Sequence, residues 1–232
     1  MALIKFGAGV VQMAGKIAGT VFSRNRYGSY ARAGTKPTNP NTERQSQVRA
    51  IIGTLNEIWQ TTLTDAQRIA WAAYANNVPM VNRLGEVQNF SGYNHFCRTN
   101  AARLAAGLTA LADAPTIYAL GEQDPTFAIV ADVSDNAIKP TFDNTLPWAN
   151  EAGGYLLIYQ GQPCAPTRNF FGGPFRYIGK IAGNDSTPPT SPGSIAPYYT
   201  LVAGQRQYAQ ARILRADGRL SGFFRSDGLV IA

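Results

Sequence analysis

The feature that most constrains the fold is a change in hydrophobic periodicity near residue 110. Between residues 42 and 107, apolar side chains recur every three to four positions, which is the spacing of amphipathic helices. After the run from Leu108 to Pro115, apolar and polar residues alternate, as they do in half-buried strands. The chain is therefore predicted to be an α+β protein in which a small helical module precedes a β-rich domain.

Two capping boxes predict where the first two helices begin. Thr42 and Thr64 are each followed three residues later by Gln, whose amide can reach back to the cap while the hydroxyl accepts a backbone N–H. A third helix is predicted to open after Ser91 and to stop at Gly107. Apolar spacing predicts these inward residues: Val48, Ile51, Ile52, Leu55, Ile58 and Trp59, then Ile69, Ala70, Ala73 and Tyr74, then Tyr93, Phe96, Cys97, Asn100, Ala101 and Leu104.

The last half of the chain contains seven candidate strands separated by Gly, Pro, Asn and Asp turn signals. The predicted strands are 127–132, 137–142, 155–160, 175–181, 198–203, 207–214 and 221–231. This number of short alternating strands is typical of an antiparallel immunoglobulin-like β-sandwich. The predicted domains are a basic Gly-rich arm with a hairpin (1–41), a three-helix module (42–107), a linker (108–115) and the sandwich (116–232).

The net charge is concentrated at the N-terminus. Eight of the 21 Lys and Arg residues precede residue 51, opposed there only by Glu43, which leaves +7, the formal charge of the whole chain. A basic arm on a neutral body predicts docking onto an acidic or multivalent partner. Only 15% of residues are charged, so we expect partners to cover much of the surface and the protein to self-associate.

The residues predicted to bind a partner lie in or next to the hairpin expected at 18–33. They are Lys16, Arg24, Arg26, Tyr27, Tyr30, Arg32 and Lys36. Interleaved Arg and Tyr suit phosphate contacts and base stacking. They suit an acidic patch on a protein lattice equally well, and a solvated hairpin tip is an equal alternative. Phe170 and Phe171 are predicted to form an exposed aromatic patch, which would fit a carbohydrate-binding or host-adhesion module, although sandwich cores also use aromatic residues.

Catalytic chemistry is not indicated. His95 is the only histidine, and no Gly-Lys-Ser/Thr loop or G-x-S-x-G elbow accompanies it. We predict that His95 packs or caps. Cys97 and Cys164 provide neither a disulfide framework nor a zinc spacing. The chain is predicted not to be an enzyme and to have no catalytic residues, metal, cofactor or small-molecule substrate. We also expect neither a signal peptide nor a membrane span.

The first 110 residues resemble uncharacterised proteins found in tailed-phage and prophage gene clusters. That family shares an R-x-x-x-x-P-x-N-P-x-T-x-x-Q segment, a Trp-containing helix pair and a G-x-x-x-F-x-x-x-N helix. The matching positions here are Arg32, Pro37, Asn39, Pro40, Thr42 and Gln45, then Trp59 and Trp71, then Gly92, Phe96 and Asn100. The resemblance implies a structural protein of the virion.

The stretches 208–212 and 217–221 resemble the penultimate strand and following turn of fibronectin type III domains, which commonly decorate phage capsids and tails. The tryptophan usual on an early strand has no counterpart, since Trp148 lies in a Pro-Trp-Ala loop. The expected protein is therefore a structural component of a tailed-phage virion, made in the bacterial cytoplasm, in which capsid or tail proteins and other copies of the chain are partners. A nucleic-acid-binding module and a carbohydrate or host-adhesion module are the alternatives.

Overall fold

The computed structural model describes residues 2–231, except for the side chains of Leu229 and Ile231. The chain divides into two units. The first, here called the basic unit, contains the residues up to 50 together with 79–90. The second, here called the neutral unit, contains residues 51–78 together with those from 91 onward.

The basic unit contains a four-stranded antiparallel sheet. Its strands are β1 (Ala2–Ile4), β2 (Gly15–Ile17), β3 (Thr20–Asn25) and β4 (Gly28–Ala33), in the order β1-β4-β3-β2. The predicted hairpin is confirmed as β3 and β4, and Gly28 in its turn has a φ of +122° that favours glycine. The two short strands β5 (Met80–Val81) and β6 (Val87–Gln88) pair with each other. Residues 34–42 contain no helix or strand.

Residues 2–231 contain three α-helices, as the sequence predicts. They are α1 (Glu43–Glu57), which continues into a π-helical turn (Ile58–Thr62), α2 (Asp65–Asn77) and α3 (Gly92–Ala105). Both capping boxes are confirmed: Thr42 and Thr64 each accept a hydrogen bond from the backbone of the Gln three residues later, and that Gln side chain accepts one from the cap.

The helical core of the neutral unit is smaller than the predicted apolar faces. Leu55, Trp71 and Phe96 are fully buried in it. Val48 and Ile52 on α1 are exposed, which corrects their predicted inward position, because burial on this helix begins only at Leu55. The prediction was also wrong for Ile69, which is 67% exposed. Ile69 precedes Trp71 by two residues, and two residues correspond to about 200° of helix rotation.

A six-stranded sheet forms the rest of the neutral unit. Its strands are β7 (Ala128–Asp132), β8 (Ala137–Thr141), β9 (Tyr155–Gly161), β10 (Phe175–Ala182), β11 (Arg206–Leu214) and β12 (Phe224–Ile231). The order is β10-β9-β11-β12-β7-β8, and all neighbours are antiparallel except β12 and β7. Six of the seven predicted strands therefore exist.

The remaining prediction, a strand at 198–203, is wrong. The backbone N–H groups of Tyr198 and Tyr199 donate to the side-chain oxygen of Gln160, at 2.7 and 2.9 Å, rather than to a neighbouring strand. A buried glutamine amide thus satisfies donors that a ladder would otherwise use.

Residues 193–195 contact both β8 and β10, the two strands at the ends of the sheet order. Ile195 exchanges two backbone hydrogen bonds with Ile138 of β8. The same Ile195 lies against Gly179 of β10, where an added Cβ would be 2.9 Å from its side chain. Strands at opposite ends of the order therefore approach each other around one core, which includes the fully buried Trp148 from the β8–β9 loop.

Candidate partner-binding surface

Net charge divides between the two units. The basic unit contains nine Lys and Arg side chains and two Glu, a formal charge of +7, whereas the neutral unit contains twelve of each sign. Lys and Arg are therefore the dominant charge in the basic unit and attract anionic groups.

The predicted partner-binding residues all lie in the basic unit. Lys16 is in β2, Arg24 in β3, Arg26 and Tyr27 in the β3–β4 turn, Tyr30 and Arg32 in β4, and Lys36 follows β4. The five cations are exposed, and the two tyrosines are half-buried. Within residues 2–231, none of these five cations forms an ion pair, so their charges are available to a partner.

Strand register separates these residues onto two faces. Lys16 lies opposite Val21, and Val21 lies opposite Arg32, so Lys16 and Arg32 share a face about 10 Å apart across two strand spacings. Tyr30 is two residues from Arg32 and lies on the same face. Arg24 falls on the other face because its position in β3 has the opposite parity to that of Val21. We call Lys16, Tyr30 and Arg32 the basic face.

Tyr27 has a structural partner. Its ring centroid is 5.0 Å from that of Phe90, and its backbone carbonyl accepts a 2.7 Å hydrogen bond from the Gln88 side chain. Asn25 caps the turn by accepting from the Tyr27 N–H. The ring predicted to stack on bases therefore holds the hairpin tip against the segment 79–90.

The segment 79–90 is the part of the basic unit that sequence reasoning missed. The Lys5 Nζ atom lies 3.2 Å from the carboxylate Oε1 of Glu86, which belongs to this segment. Hydrogen bonding from Asn82, helped by Lys5, lowers the pKa of Glu86 below its ordinary value. The available signal was the Asn-Arg-Leu-Gly turn at 82–85, with the apolar residues Met80 and Val81 before it and Val87 after it, a hairpin pattern.

The basic unit lacks a hydrophobic core. None of its described residues is buried, since residues 2–50 and 79–90 are all exposed or half-buried. Its exposed large apolar residues are Val10, Val11, Ile17, Val48, Val81, Leu84 and Val87. Strands need a buried apolar face for independent stability, so this unit retains apolar surface that a partner can bury.

The predicted aromatic patch is only half exposed. Phe170 is 70% exposed, but Phe171 is 6% exposed and stacks on Tyr208 with ring centroids 5.8 Å apart. The prediction for Phe171 is therefore corrected. Consecutive residues of an extended segment point in opposite directions, and this places one ring in the core and the other in solvent.

His95 is 2% exposed and packs edge-on against Tyr74, with ring centroids 5.4 Å apart. Burial, with a smaller contribution from Arg98, lowers the pKa of His95 to about 4. The described part of the chain contains no group of three His, Cys, Asp or Glu side chains that could hold a metal ion.

No family model matches this chain, nor does any curated protein or solved structure. None of the helices in residues 2–231 combines the length and the apolar character needed to cross a bilayer.

Proposed function

We propose that the protein is a structural component of a tailed-phage virion that docks through its basic unit onto an acidic surface of another virion protein. One observation carries this proposal: the unit with the entire net charge is also the unit in which no described side chain is buried. A charged surface with uncovered apolar side chains fits an interface that forms during assembly.

A protein partner fits this surface better than nucleic acid does. Val11, Val81 and Val87 are each at least 66% exposed, and phosphate groups cannot bury them. Arg24 and Arg32 are on opposite faces of the sheet, so the cations do not follow one strand of phosphates. Nucleic acid is the second candidate, favoured by the basic face, where Tyr30 lies two residues from Arg32 on the same strand.

The virion assignment comes from the sequence resemblance, and the motif residues have structural roles that a shared fold would need. Gly92 permits close packing of helices, since a Cβ there would lie 2.6 Å from the α2 backbone. Phe96 fills the helical core. Asn100 exchanges hydrogen bonds of 3.0 and 2.7 Å with the backbone of Leu111.

We also propose that the large sheet is an immunoglobulin-like sandwich. In this proposal β7, β8 and residues 193–195 form one layer, and β9 to β12 form the other. The shared core cluster of β7, β8, β9, β11 and β12 supports this arrangement. Residues 34–42 would be the extended part of the arm.

The proposal can be tested by charge reversal in phage-producing cells. Arg32→Glu changes the basic face, and Arg176→Glu makes the same charge change on the neutral unit. We expect full-length protein to sediment with nuclease-treated particles, Arg32→Glu to reduce its copy number about tenfold, and Arg176→Glu to have no effect. Absence of the protein from particles refutes the proposal. Nuclease-sensitive association that is lost at high salt would support the nucleic-acid alternative.

A further inference from the structure

We propose that the neutral unit binds a single neutral sugar ring in a cavity between the β9–β10 loop and β12. The cavity has a volume of about 120 Å³ and is open to solvent. It is lined by Phe170, Phe171, Tyr208, Arg225, Ser226 and Asp227.

The aromatic wall is held in place by packing. Phe171 stacks on Tyr208 and meets Phe175 edge-on at a centroid distance of 5.2 Å. Gly161 allows this, because a Cβ there would be 2.7 Å from the Phe171 ring. The hydroxyl of Tyr208 donates to the carbonyl of Arg168 at 2.5 Å, which further fixes the loop. Phe170 therefore remains outside on an anchored loop, as an apolar ring offered to a ligand.

The polar wall comes from three consecutive residues of β12. Asp227 lies opposite Tyr208 in the ladder between β11 and β12, and Ser226 and Arg225 precede it. The Nε of Arg206 lies 3.5 Å from Oδ2 of Asp227 and orients the carboxylate. Arg225 and Asp227 are two positions apart and project from the same face of β12, where they offer a guanidinium donor and a carboxylate acceptor, while Ser226 between them projects from the opposite face.

A pyranose matches these two walls. Its C–H face can lie on the electron-rich face of an aromatic ring, while its hydroxyls donate to a carboxylate and accept from a guanidinium. A neutral sugar leaves the pairing of Asp227 with Arg206 undisturbed, whereas a phosphate, sulfate or carboxylate group would be repelled by Asp227 and attracted by Arg206 and Arg225. The volume fits one ring, so the natural ligand would be a terminal sugar of a surface glycan. Avidity over many copies would compensate for weak single contacts.

Saturation-transfer NMR on the full chain tests this inference, with methyl glycosides of neutral hexoses, 6-deoxyhexoses and N-acetylhexosamines as probes and glucose 6-phosphate as the anionic comparison. We expect at least one neutral glycoside to bind with a Kd of about 1 mM. Phe170→Ala and Asp227→Asn should each weaken binding about tenfold. Tyr198→Ala removes another exposed ring, 64% exposed and outside the cavity, and should leave binding unchanged.

Three results would overturn the inference: no neutral glycoside binding at about 10 mM, unchanged binding in Phe170→Ala, or tighter binding of the phosphorylated sugar. Phe170 is mostly exposed, so its replacement should leave the thermal midpoint unchanged, which separates loss of binding from loss of fold. The outcome is independent of docking by the basic unit, since the cavity lies in the neutral unit.

Discussion

Acidification should destabilise the neutral unit through His95. This side chain is hydrogen-bonded to the backbone of Val78, packs against Tyr74 and lies near the Arg98 guanidinium. Burial raises the pKa of Tyr74, so the phenol stays neutral in acid and cannot compensate a histidine cation. Burial and Arg98 together hold the pKa of His95 at about 4, against 6.5 for an accessible histidine.

The sign and size of the effect follow from proton linkage. Between pH 6.5 and 4, the unfolded chain binds a proton at His95 that the folded chain does not bind, so the free energy of unfolding falls as the pH falls. The stability is complete above pH 6.5 and is lost progressively toward pH 4. The loss should be about 2.5 kcal/mol at pH 4.5 and roughly 3 kcal/mol in total.

Urea unfolding followed by tryptophan fluorescence measures this loss, because Trp59 and Trp71 both pack against Phe96 in the same core. With a slope of roughly 2 kcal/mol per molar, the midpoint should fall by about 1 M between pH 7.5 and 4.5. His95→Gln removes the titrating group and should remove most of this pH dependence, since the chain has one histidine. An equal fall in the variant would refute the reasoning.

Three further substitutions test the packing and the ion pairing of the neutral unit. Gly92→Ala should lower the free energy of unfolding by about 3 kcal/mol, because the added Cβ would meet the α2 backbone at 2.6 Å. Gly53→Ala is the control and should raise the free energy of unfolding by about 0.5–1 kcal/mol, because open space surrounds Gly53. Equal effects of the two substitutions in thermal unfolding would contradict this packing. Arg215→Lys should cost about 1–2 kcal/mol in urea unfolding, because lysine cannot reproduce the forked hydrogen bonds to Glu122 and Glu151. An unchanged midpoint would mean that this ion-pair cluster adds no stability.

Local patterns in the sequence predicted elements whose physical causes are also local. The Thr42 and Thr64 capping boxes depend on residues three positions apart, so the starts of α1 and α2 could be read directly. The alternation of apolar and polar residues is also a local pattern, and it predicted six strands. The strand expected at 198–203 failed because Gln160, some 38 residues earlier, satisfies its backbone donors. A distant side chain leaves no periodic signal.

The candidate site shows the same division between local and distant causes. Charge segregation and the identity of the basic residues are properties of the sequence alone. The pairing of β2, β3 and β4 decides that Lys16 and Arg32 share a face and that Arg24 does not, because a register shift of one residue would exchange the faces. Tyr27 similarly depends on Phe90, which lies 63 positions further along the chain.

The sequence by itself determined the α+β class, the helix starts, most strands and the concentration of +7 at one end. Only the tertiary structure decided which side chains those elements bury. It placed Phe171 in the core while Phe170 stayed exposed, and it buried none of the described residues of the basic unit. Burial depends on contacts between segments far apart in the chain, and hydrophobicity at a single position does not encode those contacts.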